Sequence, residues 1–218
     1  MRFGGTLTTL ALAVGLSGAV LVLHPAVAHG QQVFSFDLFP NPAFVNCIAR
    51  FPGDATRPPQ ASVIVQKGPQ NDTLILSLRS IKPGLAFDLF TVRNSPQLAN
   101  GSPDPTFTNF GLAWYQSDVQ VDAKGRALVV LNTILLNQIF GFDPAVGLTP
   151  TNTFHVGFWF NDPNDAVACG FNVNNATPFN GEHHAGPLAM ISRPDATTGL
   201  GPLCRNPNTS TVPPSCNP

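Results

Sequence analysis

The sequence predicts an all-β protein, an antiparallel β-sandwich of about eight strands with long loops, stapled by disulfides. Three observations predict this class. The chain has 22 prolines, and Glu182 is the one glutamate among twelve acidic residues, a composition that disfavours helices. Short apolar stretches alternate with a period of two and are separated by turn residues. Four cysteines in a chain with an export-type amino terminus indicate two disulfides.

The first predicted strands follow from this alternation. We expect strands at residues 33–39, 61–66, 73–79 and 86–92. The last three are separated by a polar turn and a Pro-Gly turn, so their spacing predicts a meander. The side chains predicted to face the core are Phe34, Phe36, Leu38, Val63, Val65, Leu74, Leu76 and Leu78.

The later strands are less regular in pattern. Residues 110–121 and 126–131 predict a hairpin around the Asp-Ala-Lys-Gly turn that ends at Gly125. Residues 132–142 are compatible with a short helix or an irregular segment. Residues 188–192 predict a last strand. The central strand is predicted at residues 153–160, with Phe154, Phe158 and Phe160 on one face and His155 and Trp159 on the other.

The amino terminus has the pattern of a secretory signal peptide. A basic start is followed by an uncharged run of roughly 17 residues, close to the lower limit for a membrane span, and an Ala-x-Ala end at Ala26 and Ala28. We therefore expect a signal peptide at residues 1–28, a β-sandwich domain at 29–198 and a Pro/Asn/Ser-rich tail at 199–218. An uncleaved anchor is the alternative. The expected location is outside the cell or in the cell envelope.

The charge pattern narrows the classes of partner. Charged residues make up 11% of the chain, and its formal net charge is −1. A near-neutral surface lacks the electrostatic footprint of a protein that binds nucleic acid or an anionic membrane. We expect no nucleic-acid partner and no membrane span after cleavage of the signal peptide, and the sequence leaves the partner unknown.

The four cysteines allow three pairings, of which the sequence favours one. Cys47–Cys169 ties the early chain to the loop after the central strand, and Cys204–Cys216 holds a tail that otherwise looks disordered. No Cys-x-x-Cys motif is present, which argues against redox or zinc chemistry through the cysteines.

Residues 61–92, followed by the Val-Asp-Ala-Lys-Gly-Arg-Ala stretch that begins at Val121, resemble modules of secreted bacterial β-sandwiches. The chordin-type repeat and the extracytoplasmic domain of anti-sigma factors have a similar order of strands and turns, and the resemblance covers about 70 residues of the present chain. The resemblance implies a β-sandwich. Chordin-type modules usually carry a His-x-His motif where this chain has Phe87-Asp88-Leu89. The resemblance therefore implies no metal ligands here.

Five residues are candidates for a metal site. Cleavage after Ala28 would give His29 a free amine beside its imidazole, a pair that copper enzymes with a histidine brace use. Glu182, His183 and His184 form the second candidate group, and His155 could join either group. Imidazole and carboxylate suit copper or zinc. The competing interpretation is that the paired histidines belong to a polar loop and that His155 is a packed, hydrogen-bonded strand residue.

Other chemistry has less support. Asp162, Asn164 and Asp165 could hold calcium, although Asx-rich turns are common for conformational reasons alone. No Gly-x-Ser-x-Gly motif or phosphate-binding glycine loop is present. Exposed Trp114, Tyr115 or Trp159 would indicate a carbohydrate-binding module.

These observations lead to three functional hypotheses from different classes. The first is an exported, non-enzymatic β-sandwich with a structural or interaction role. The second is a copper- or zinc-binding protein that uses the histidines above, and the third is a carbohydrate-binding module. Enzymatic activity stays open, and the sequence nominates no catalytic residue.

Overall fold

The computed structural model describes residues 32–134, 141–143, 145, 148–151, 155–174 and 185–216. Most of the regular secondary structure in these residues is antiparallel strand, so the predicted all-β class is confirmed. The eight strands of the main sheet are β1 (Val33–Pro40), β2 (Gln60–Gln66), β3 (Asp72–Arg79), β4 (Ala86–Val92), β5 (Ala113–Gln120), β6 (Ala127–Ile134), β9 (His155–Phe160) and β10 (Leu188–Ser192). The remaining elements are the hairpins β7 (Gly141–Asp143) with β8 (Leu148–Thr151) and β11 (Pro207–Asn208) with β12 (Ser215–Cys216), the helix α1 (Val45–Ile48) and a 3₁₀ helix (Pro163–Cys169).

The main sheet is continuous, and its two halves face a common core. Its strand order is β5-β4-β9-β10-β1-β2-β3-β6, and the edge strands β5 and β6 lie close to each other. One core cluster therefore receives apolar side chains from β2 and β3 on one side and from β4 and β9 on the other, and the single sheet is nearly barrel-shaped. Among its members are Val63, Val65, Leu74, Leu76, Leu78, Phe87, Leu89, Phe158 and Phe160.

The inward faces predicted from alternation are confirmed. Leu38 is buried in the core, and Phe34 and Phe36 pack against it. Phe158 and Phe160 also face this core, whereas Trp159 lies in a second cluster on the other face of the sheet. Phe154 lies outside the described residues, as do Leu135 and Ile139 of the segment whose structure the sequence left open.

The predicted meander is wrong at its third strand. β2 pairs with β3, but β3 pairs next with β6, and β4 lies between β5 and β9. The reason lies in the connection between β3 and β4. Ile81 and Leu85 are buried in the core, and Ile81 forms a bridge with Ala49. Burial of these two side chains carries the chain across the end of the core to the other half of the sheet.

The predicted hairpin pairing around Gly125 is also wrong. The tight turn is present, with φ +74° at Gly125 and both Lys124 N–H and Arg126 N–H donated to the Asp122 carboxylate. The strands that it joins then diverge, because β5 pairs with β4 and β6 pairs with β3. A turn fixes a local reversal of the chain, whereas the partner of each strand is decided by the rest of the sheet.

Both predicted disulfides are confirmed. Cys47 of α1 is joined to Cys169 at the end of the 3₁₀ helix, with their Cα atoms 6.1 Å apart. Cys204 is joined to Cys216, with a Cα separation of 5.7 Å. The first bond connects two short elements that cover one end of the core, where neither element is long enough to be stable alone.

The carboxyl-terminal tail is more ordered than its composition suggests. Leu203 is buried in the main core, and Leu200 is also buried. The expectation that only a disulfide orders this tail is therefore wrong, because apolar contacts anchor it ahead of the β11–β12 hairpin. Among the described residues, no helix has the length and hydropathy that crossing a bilayer requires.

Candidate ligand-binding cleft

An open cleft of about 440 Å³ lies beside the start of β9. One wall is the chain that leaves β4, from Arg93 to Gln97, and a second is the loop at residues 104–109. The segment after β10 and the β11–β12 hairpin complete it, and His155 lines it from the sheet. A cleft of this volume matches the lower part of the range for small-molecule sites.

The floor of the cleft is a buried hydrogen-bonded network. The Nδ1 atom of His155 lies 3.2 Å from the carbonyl oxygen and 3.1 Å from the hydroxyl oxygen of Ser192. The same hydroxyl accepts the N–H of Val156 at 3.1 Å, and the carbonyl accepts the hydroxyl of Ser95 at 3.1 Å. His155, Ser192 and Ser95 are all buried, so these bonds fix the imidazole in one orientation.

A second layer of contacts supports this floor from β1. The side-chain amide of Gln97 donates to the carbonyl of Pro40 at 3.3 Å, and Gln97 accepts a bond from Nε of Arg193 at 3.0 Å. The guanidinium of Arg193 in turn lies 3.7 Å from the centre of the Phe39 ring, a cation–π contact. Gln97 therefore connects the cleft wall to the sheet.

Aromatic packing holds the loop that forms the other wall. Trp159 is buried beneath it and makes edge-to-face contacts with Phe90 at 5.4 Å and with Phe110 at 5.0 Å between ring centres. Phe110 contacts Phe107 at 5.0 Å in the same geometry. Such pairs contribute about 0.5–1.5 kcal/mol each beyond area burial. Phe107 lines the cleft, so this chain of rings positions its rim.

The imidazole of His155 is neutral at pH 7. Burial lowers the pKa of His155 from 6.5 to about 4, and the hydrogen bond with Ser192 opposes this shift only in part. Loss of hydration disfavours the charged ring in the interior. At neutral pH the cleft therefore presents an uncharged imidazole.

This shift makes a prediction about pH and stability. The unfolded chain binds a proton at His155 near pH 6.5, whereas the folded chain does so only near pH 4. Between these values the unfolded state holds the extra proton, so the unfolding free energy falls as the pH is lowered from about 6.5 to about 4. The expected loss from this residue is on the order of 3 kcal/mol. Urea unfolding at a series of pH values measures it.

His155→Asn is the matched control for this measurement. Asparagine does not titrate, and its side-chain amide can still donate to the carbonyl of Ser192. We expect the difference in unfolding free energy between wild type and variant to change across pH 4–6.5 and to be constant above pH 7. Parallel pH profiles for the two proteins would contradict the assignment.

Of the five residues predicted for a metal site, only His155 lies within the described part of the chain. His155 lies in the cleft, and the expectation of a packed, hydrogen-bonded histidine is confirmed. His29, Glu182, His183 and His184 lie outside the described residues. Within the described part of the chain, no group of three His, Cys, Asp or Glu side chains is placed to hold a metal ion. The copper or zinc site stays a prediction.

The candidate calcium residues have a structural role at the 3₁₀ helix. Asp162 caps it by accepting bonds from the backbone N–H and the side-chain amide of Asn164, both at 2.8 Å. The pKa of Asp165 is raised by burial and then by the Asp162 carboxylate. Helix capping explains this Asx-rich sequence, and calcium binding stays a prediction.

The candidate carbohydrate-binding aromatics divide into two groups. Trp159 is 1% exposed and cannot stack on a sugar. Trp114 and Tyr115 on β5 are 47% and 54% exposed, and the Tyr115 hydroxyl donates to Asp118 at 2.6 Å. They are successive strand residues, which point to opposite faces, so the two rings do not form one flat row.

Sequence reasoning missed the polar residues around His155. Ser95, Gln97 and Arg193 carried no motif, and Ser192 was noted only as the end of a strand. Aromatic residues inside an otherwise polar loop were an available signal, because Phe107 and Phe110 indicate that this loop packs on the sheet.

Comparison with known proteins gives no identity for the chain. No family model, no curated protein and no solved structure matches it. The likeness to chordin-type and anti-sigma-factor modules stays a resemblance. A functional conclusion therefore rests on the cleft itself.

Proposed function

We propose that this chain is an exported, non-enzymatic binding protein whose ligand site is the cleft beside His155. The observation that carries the proposal is the network at the cleft floor, where three buried polar residues are held by hydrogen bonds. Burying polar groups is costly unless they are bonded, and once bonded they form a rigid, preorganised surface. Such a surface reduces the entropy lost when a ligand binds.

The export part of the proposal has separate support. The amino terminus has the order of a signal peptide, with a basic start, an apolar run and Ala26 and Ala28 before the expected cleavage point. The two disulfides favour an oxidising compartment, in which such bonds persist.

The non-enzymatic part follows from the chemistry of the cleft. A general acid or base works best with a pKa near the operating pH, whereas the pKa of His155 is about 4. Asp104 is the carboxylate that lines the described cleft, and its Oδ1 accepts bonds from the N–H and the hydroxyl of Thr106. The Ser192 hydroxyl lies 3.1 Å from Nδ1 of His155, but it is buried and already accepts the N–H of Val156, so it has a structural role and binding is the simpler function for the cleft.

A binding survey tests the proposal. The protein is produced through its own leader, and intact mass is expected to show a chain that begins at His29. The ¹⁵N-labelled product is then titrated, by amide chemical-shift mapping, with glucose, galactose, N-acetylglucosamine, acetate, phosphate and choline. Copper and zinc salts are included because the metal hypothesis is untested. We expect at least one organic probe or anion to shift amides around the cleft.

Two tryptophan variants locate the binding. Thr108→Trp adds a bulky ring at an exposed position of the cleft wall, whereas Ala55→Trp adds the same ring at an exposed position outside the cleft. Thr108→Trp should abolish the shifts and Ala55→Trp should leave them unchanged. A cleft that responds to none of the organic probes or anions refutes the binding role. Metal-induced shifts alone would support the metal hypothesis instead.

A further inference from the structure

The hydrogen bonds of His155 define which ring nitrogen carries the proton. Nδ1 lies 3.2 Å from the carbonyl oxygen of Ser192, which can only accept, so Nδ1 must donate. The Ser192 hydroxyl oxygen, 3.1 Å from Nδ1, is already an acceptor for the N–H of Val156. In a neutral imidazole one nitrogen donates and the other accepts. Nε2 is therefore an unprotonated acceptor.

The unprotonated nitrogen is the atom that reaches the cleft. Every buried polar side-chain atom of the described residues has a hydrogen-bond partner. Among these residues, the hydrogen bonds of the His155 ring are all made by Nδ1. Nε2 is thus not sealed in the interior, although His155 as a whole is only 2% exposed. The small exposed part of the ring is an acceptor at the cleft floor.

The cleft walls offer a complementary set of groups. Arg93 is an exposed donor that lines the cleft and forms no ion pair with a carboxylate in the described part of the chain. Phe107 contributes a half-buried ring, and Ser215 contributes a hydroxyl. A ligand that fills the cleft has to donate to Nε2 and accept from Arg93.

A hydroxyl-rich, neutral ligand meets both requirements. A hydroxyl group both donates and accepts, and the C–H face of a sugar ring can pack on Phe107. A carboxylate such as acetate lacks the donor that Nε2 requires, and the Asp104 carboxylate in the same cleft offsets the charge of Arg93 and so disfavours anions, phosphate included. The same pair of opposite charges leaves the cleft without the net negative charge that would favour a cation.

We infer that the cleft binds a neutral saccharide, one hydroxyl of which donates to Nε2 of His155. This inference rests on the proposed binding function and names its ligand class. It places carbohydrate recognition in the cleft instead of on Trp114, Tyr115 or Trp159.

The test uses ¹⁵N-histidine-labelled protein at pH 7. Glucose, galactose and N-acetylglucosamine are titrated separately while the imidazole nitrogen resonances of His155 are recorded. We expect at least one sugar to shift the Nε2 resonance strongly and Nδ1 little, because only Nε2 accepts the new bond. Affinity should be equal at pH 6 and pH 8, since the ring is neutral at both.

His155→Asn sharpens the test, since it removes Nε2 and can keep the donor to Ser192. Loss of one hydrogen bond between neutral groups in this variant predicts that sugar affinity falls about tenfold. His155→Asn is compared with Tyr115→Ala, which removes an exposed ring on β5 and should bind sugar like the wild type. If the asparagine variant does not fold, the wild-type titration still tests the inference, because a sugar bound at His155 has to shift the Nε2 resonance more than the Nδ1 resonance.

The outcomes separate this inference from the function on which it rests. Binding of acetate, phosphate or choline in the cleft with no response to any sugar overturns the ligand class and leaves the binding role intact. Sugar binding that Tyr115→Ala or Trp114→Ala abolishes places the site on β5 and overturns the inference. No response to any probe, charged or neutral, overturns both.

Discussion

Removal of the Cys47–Cys169 disulfide by the double substitution Cys47→Ala and Cys169→Ala is expected to lower the unfolding free energy by about 4–5 kcal/mol. The bond closes a sequence separation of 122 residues, and in the chain-entropy model a longer closed loop restricts the unfolded chain more. Small domains have only about 5–15 kcal/mol of net stability, so the variant would be close to unfolding. Guanidinium unfolding, followed by the fluorescence of buried Trp159, measures the loss.

The second disulfide supplies the matched comparison. Cys204→Ala with Cys216→Ala opens a separation of only 12 residues, for which the same model gives about 3 kcal/mol. We therefore expect the first double variant to be the less stable of the two. The opposite order would show that local contacts around the carboxyl-terminal hairpin outweigh loop length, and would contradict the entropic explanation.

The faces of the strands were predictable from the sequence because burial leaves a pattern that repeats every two residues. Leu74, Leu76 and Leu78 face the core as predicted, and Trp159 faces away from Phe158. This information is local: each side chain alternates with its neighbour whichever strand lies beside it. The disulfide pairing was predictable for a similar reason, since Cys204 and Cys216 flank one short loop.

The strand order was not predictable, because it depends on contacts between distant stretches. β1 pairs with β10, and β4 pairs with β9, across large distances in sequence. Nothing in the alternation of β3 shows that its second neighbour is β6 and not β4. The turn at Gly125 predicts a hairpin, but the two strands that it joins, β5 and β6, are the opposite edges of the sheet.

The cleft was not predictable because it depends on one register. Ile191 lies opposite Gly157, which brings Ser192 beside Val156 and His155. This register follows an irregularity in the strand pairing between Leu188 and Met190, and no glycine, proline or other turn residue between them indicates it in the sequence. His155 was recognised as a candidate, but its neighbours were sought among the other histidines and not among the serines.

The second large effect is expected in the core at Phe158. Phe158→Ala should lower the unfolding free energy by about 3–5 kcal/mol, because it removes a fully buried ring and leaves a cavity. The ring lies on β9 between β4 and β10, and its centre is 4.8 Å from that of Phe87. Urea unfolding compares the variant with Leu128→Ala, which truncates a side chain that is 69% exposed and should change stability by less than about 0.5 kcal/mol.

The same variant separates stability from binding. Phe158 faces the core and His155 faces the cleft, although both lie on β9. While the protein remains folded, Phe158→Ala should leave ligand affinity unchanged, whereas His155→Asn should weaken it. A loss below about 1 kcal/mol for Phe158→Ala would contradict the tight packing assigned to this core. An equal loss of affinity in both variants would mean that the cleft responds to general loosening of the sheet and not to the imidazole.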